Sequence, residues 1–140
     1  PLETPGSEAA ALAELETLAA ADLAAVPRSN QYVAQLASKH VGISDPRQTA
    51  TNGTHTFYAI DILAEHRALR DRLASVQVVL LRSSEYGLRR THDGQPYWVT
   101  MALSPDFGSG DEVRAWCRGA FPDLAGAELT NSCMVNRLAP

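Results

Sequence analysis

The sequence predicts an α+β fold built on a four-stranded antiparallel sheet, and three observations lead there. Strand-like apolar runs recur at 31–38, 76–81, 97–103 and 132–138. Helical periodicity separates the first run from the second (56–73) and the third from the fourth (111–120). Between the middle two runs lies only a polar stretch, 82–96, with Gly87, Asp93 and Gly94, which reads as a loop or a wide hairpin.

With 140 residues, one domain is the natural expectation, large enough for a real core. A hydrophobic fraction of 45% speaks against wholesale disorder. The net charge of −4 argues against nonspecific nucleic-acid binding, which needs a positive field. No apolar run reaches the roughly 18 residues of a membrane span. The longest, 9–26, is interrupted by Glu14, Glu16 and Asp22. The chain opens Pro1-Leu2-Glu3-Thr4-Pro5, as an excised or processed piece would, so a signal or anchor upstream is compatible with it.

Each element has its own signal. Residues 7–25 read as a helix with Ser7 as N-cap, Glu8 at the positive end and Pro27 as the stop. Leu12, Leu15, Leu18, Ala19, Leu23 and Val26 form its apolar stripe. In 31–38, Tyr32, Ala34 and Leu36 alternate with Val33, Gln35 and Ala37. The stretch 42–56, rich in Gly, Pro, Asn, Ser and Thr, reads as a long loop. The helix over 56–73 carries Phe57, Ile60 and Leu63 at helical spacing and a charged outer face. Val-Gln-Val-Val-Leu-Leu at 76–81 has the continuous hydrophobicity of a central strand. In 97–103, Tyr97, Val99 and Met101 alternate with Trp98, Thr100 and Ala102. Ser109 or Asp111 caps the helix over 111–120, whose inner stripe is Val113, Trp116, Cys117 and Phe121. A loop over 122–131 leads to the last strand.

After the N-terminal helix and linker (1–30), the domain over 31–140 therefore runs β-α-β-β-α-β, the split βαβ or ferredoxin-like order with both helices on one sheet face. The other face is open unless the N-terminal helix covers it. Binding in such a sheet is expected there or in the loops.

Cys117 and Cys133 are the two cysteines. The second opens a strand that can lie over the helix bearing the first, which favours a disulfide. It would close a loop of roughly 16 residues and stabilise by about 3 kcal/mol. The alternative is a pair of buried thiols in a cytosolic protein.

Tyr32-Val33-Ala34-Gln35-Leu36-Ala37-Ser38 resembles the first-strand motif of the sporulation-related repeat (SPOR) domain. Tyr97-Trp98-Val99-Thr100-Met101, followed by Phe107-Gly108-Ser109-Gly110-Asp111-Glu112-Val113, resembles that family's third strand, turn and second helix. With Ala115-Trp116-Cys117 and a Cys opening the last strand, the pattern is similar to SPOR-like domains at the extracytoplasmic ends of actinobacterial membrane proteins, some of them Ser/Thr kinases. The resemblance spans 31–138. It departs in the longer connection 39–56 and in Ala102, where the family commonly has Gly. It implies a non-catalytic, extracytoplasmic binding or sensor domain that recognises peptidoglycan glycan strands stripped of stem peptides.

With the alternation above, Val33, Gln35, Trp98 and Thr100 are expected to share the open face. Aromatic and amide groups on a flat sheet suit a saccharide, the ring stacking on sugar C–H groups and the amide reading hydroxyls. The competing reading has Trp98 covered by the N-terminal helix. Arg82, Arg89 and Arg90, with His92, form a basic patch around Tyr86, suited to an acidic partner or wall-polymer phosphate or simply a solvated loop. His40, His55, His66 and His92 show no zinc spacing, and no catalytic motif is present, so no metal, cofactor or reaction is expected. Asn52-Gly53-Thr54 fits the glycosylation sequon. The partners expected are a cell-wall glycan or, as the alternative, a protein, including a second copy in a homodimer.

Overall fold

The computed structural model describes residues 7–140. The opening segment Pro1-Leu2-Glu3-Thr4-Pro5, part of the stretch 1–30 read as helix and linker, lies outside the described residues.

The elements run α1 (Glu8–Ala25), β1 (Gln31–Lys39), β2 (Ile43–Ser44), β3 (Thr56–Phe57), α2 (Ala59–Arg72), β4 (Gln77–Arg82), β5 (Thr91–His92), β6 (Gln95–Pro96), β7 (Trp98–Leu103), α3 (Gly110–Ala120), α4 (Gly126–Ser132) and β8 (Met134–Leu138). The main sheet has the order β4-β7-β1-β8. Every neighbouring pair in it is antiparallel. The molecule is thus α+β, with a four-stranded antiparallel sheet.

Two stretches read as loops hold structure. In 42–56, β2 pairs with β3, which also delays the start of α2 to Ala59. Asn52, the sequon residue, works here as a turn device: its Nδ2 donates to Thr56 O (2.9 Å) and Asp61 Oδ2 (2.8 Å). In 122–131 lies the seven-residue α4, whose only inward apolar side chain is the half-buried Leu129, too weak a pattern to register as periodic. Cys133 therefore ends α4 and does not open the last strand. It forms a disulfide with Cys117 on α3, Cα–Cα 5.7 Å.

Helices α2 and α3 pack on one sheet face. Leu80 and Trp98 meet Ile62 and Leu63 of α2, and Ala34, Leu36, Val78 and Ala102 meet Val113 and Cys117 of α3. Helix α1 buries Ala11, Leu15 and Ala19 in the first of these clusters and turns Leu12 outward. It runs beside α2 and along β4, where the Asp22 carboxylate accepts the Leu80 N–H at 2.8 Å. It closes a sheet edge that would otherwise present unpaired donors.

The opposite face is apolar as well. Val33, Val79, Leu81, Val99, Met101 and Leu138 are buried there beneath Leu23 and Val26 from the end of α1 and Tyr86 from the segment after β4. That segment is tied down from two sides. Gly87 N–H donates to Ala139 O (3.2 Å) and Pro140 O (2.9 Å), and Arg28 Nη1 donates to Glu85 O (3.2 Å). The face expected to be open is therefore roofed over much of its area.

Candidate functional site

The four residues expected on one open face divide between two. Register pairs Gln35 with Met101 and Val33 with Asn136, so Val33 and Gln35 lie on the roofed face. Trp98 and Thr100 face the helices. Trp98 is 3% exposed among α1, α2 and β4 residues, and Thr100 Oγ1 sits 2.9 Å from His66 Nδ1 under α2. Burial, reinforced by the positive charges of Arg70 and Arg67, lowers His66 to a pKa of about 4, so the ring is neutral. Val33 is itself buried, 1% exposed. Of the four, only Gln35 reaches a surface where a ligand can meet it.

Beta strand β1 carries a bulge between Gln35 and Ala37. Gln35 and Ser38 consequently share the roofed face although they are an odd number of residues apart. Together with Val99 and Asn136 they floor a groove of about 460 Å³. Its walls are Tyr86 and Tyr97 on one side and the tip of the roof, residues 87–90, above.

The floor has a fixed hydrogen-bond polarity. The backbone N–H of Arg137 can only donate, and it points at Asn136 Oδ1 (2.8 Å). Asn136 Nδ2 must then face Gln35 Oε1, to which it donates at 2.8 Å. That leaves Gln35 Nε2 as a donor with no protein partner among the described residues.

The walls are tied to the sheet. Ser83 Oγ accepts the Tyr97 N–H (2.7 Å) and donates to Arg90 O (2.5 Å). Gly87 and Arg89 both adopt left-handed backbone, φ +56° and +53°, which turns the tip so that Leu88 is 86% exposed at the rim. Burial pushes the Tyr86 phenol up to about 12, against the opposing pull of Arg90, so the hydroxyl stays protonated. The basic patch noticed in the sequence is thereby brought to the same groove as Gln35, through Arg89 and Arg90. His92 joins a different contact, stacking on His40 with ring centroids 4.0 Å apart.

A second cleft adjoins the first and shares Gln35, Ser38 and Met134 with it. It follows the part of β1 beyond Gln35, where β8 no longer pairs. Its basic groups are matched: Lys39 Nζ meets Glu65 Oε1 (2.8 Å) and Arg47 meets Glu128.

Among the described residues no His, Cys, Asp and Glu cluster could hold a metal ion, and no helix is long and apolar enough to cross a membrane. No protein-family model matches the chain, and no curated protein or solved structure matches it significantly.

Proposed function

We propose that this chain is a non-catalytic, extracytoplasmic binding domain of the SPOR-like kind, taking a cell-wall glycan strand in the groove floored by Gln35 and Asn136. The strand order β4-β7-β1-β8, with α2 and α3 on one face, supports a ferredoxin-like frame elaborated by α1 and α4. The Cys117–Cys133 disulfide fits an oxidising compartment. The observation that carries the binding reading is the groove itself. An amide pair lies beside two tyrosines, the combination that reads sugar hydroxyls and stacks on sugar C–H faces. The continuation into the second cleft suits an extended polymer better than a small molecule.

The test is a backbone-amide NMR titration with stem-peptide-free glycan fragments. Shifts confined to β1 near Gln35, β8 and residues 86–90 are the expected result. Shifts on α1 and α2, or none, would refute it. The alternative, a protein-interaction or dimerisation module, draws on β8, whose outer edge has no strand partner among the described residues. Concentration-dependent shifts along β8 without any ligand would favour that alternative.

A further inference from the structure

The charged side chains that line the groove are all basic. Gln35 Nε2 is fixed as a donor by the chain of bonds that begins at Arg137 N–H. Tyr86 and Tyr97 bring hydroxyls, and Arg89 and Arg90 bring guanidinium groups. No Asp or Glu lines the groove, although acidic residues outnumber basic ones in the chain, 16 to 12. Neither Arg89 nor Arg90 pairs with an Asp or Glu side chain among the described residues, whereas the cations of the adjoining cleft are matched. Arg89 Nη1 meets two main-chain oxygens, Gly87 O at 3.1 Å and that of Pro140, the last residue of the sequence, at 3.5 Å. A groove whose charged side chains are all basic, with no carboxylate side chain to match them, is complementary to an anion.

We infer that the groove selects an anionic polysaccharide, one bearing carboxylate or phosphodiester groups, with Arg89 and Arg90 holding the charge at the rim and Gln35 reading the sugar at the floor. This rests on the glycan reading above and adds the charge of the ligand to it. The exposed Leu88 beside two arginines also has the composition of a membrane-surface contact. The polar floor behind it, which a lipid surface would not reach, decides for the polysaccharide.

The experiment is calorimetric titration of the chain with a hyaluronate oligosaccharide, a phosphomannan, chitohexaose and phosphatidylglycerol vesicles. The variants are Arg89→Gln/Arg90→Gln, Gln35→Leu and Leu88→Ser, each checked for a native circular-dichroism spectrum. One of the two anionic polysaccharides binds, and which one it is names the anion. The arginine double variant weakens that binding by about tenfold, since two charge-assisted contacts are lost at an exposed rim. Gln35→Leu weakens it too, and chitohexaose binds poorly. If chitohexaose binds as tightly and only Gln35→Leu matters, the charge inference is overturned while the glycan reading stands. Binding to vesicles alone, lost in Leu88→Ser but not in Gln35→Leu, overturns both. The absence of binding to every probe overturns the charge inference, while the glycan reading is decided by the titration with stem-peptide-free fragments.

Discussion

The Asp22 carboxylate accepts the Leu80 backbone N–H at 2.8 Å, and this bond ties α1 to the edge of the sheet. Leu80 is fully buried on an edge strand, so its amide would otherwise lack a partner away from water. Losing a hydrogen bond to a charged acceptor costs about 1.5–3 kcal/mol. Asp22→Ala should destabilise the domain by that order and speed exchange of the Leu80 amide. Unchanged exchange at Leu80 would show that α1 is only loosely apposed.

Trp98 belongs to the core. Trp98→Ala should remove about 3–5 kcal/mol of stability, as truncation of a buried aromatic does. Thermal unfolding followed by circular dichroism checks it. A melting temperature within a degree or two of the parent would contradict the packing under α1 and α2.

The disulfide joins α3 to the end of α4. Intact-mass analysis after alkylation without reductant should show no added mass on the native or the unfolded chain. Reduction should cost about 3 kcal/mol on the chain-entropy model. Two alkyl additions without reductant would remove the argument for an oxidising compartment.

His66 couples stability to pH. Its folded pKa is about 4 against an ordinary 6.5, so between those values the unfolded chain takes up a proton that the native chain refuses. Stability is therefore full above about pH 6.5 and falls toward pH 4, with a slope near 1.4 kcal/mol per pH unit at most. Asp61 titrates below this window. Burial disfavours its charge, but hydrogen bonds from Thr51, the Tyr58 N–H and Asn52 outweigh that and hold its carboxyl below the usual range. Urea unfolding at pH 5 and pH 7 should show the loss in the parent and a flatter profile in His66→Gln. An equal slope in both would assign the pH dependence elsewhere.

Much of the frame was legible because its signals are local. Ser7 and Ser109 cap their helices as their positions suggest, accepting from Ala10 N–H and Glu112 N–H. The four main strands fall within a residue or two of their apolar runs. Which face each strand turns to the helices was not legible. Trp98, Val99, Thr100, Met101 and Ala102 are all buried, so alternation in β7 carries no contrast between faces. The bulge after Gln35 changes the parity of β1 without a glycine to mark it. The site was legible only in fragments. Gln35 and the Arg89–Arg90 pair were both visible, but the partner of Gln35 lies 101 residues away, and Tyr86 is held over the sheet by distant contacts, Gly87 with Ala139 and Pro140 and Glu85 with Arg28.

Sedimentation of the purified chain with intact sacculi and with sacculi stripped of stem peptides, using Gln35→Leu as the control, bears most directly on the central claim. Gln35 carries the argument because it is the expected site residue that reaches the groove. Retention on stripped sacculi that is lost in Gln35→Leu is the predicted result. Equal retention of parent and variant, or none on either material, would contradict a glycan site on this face.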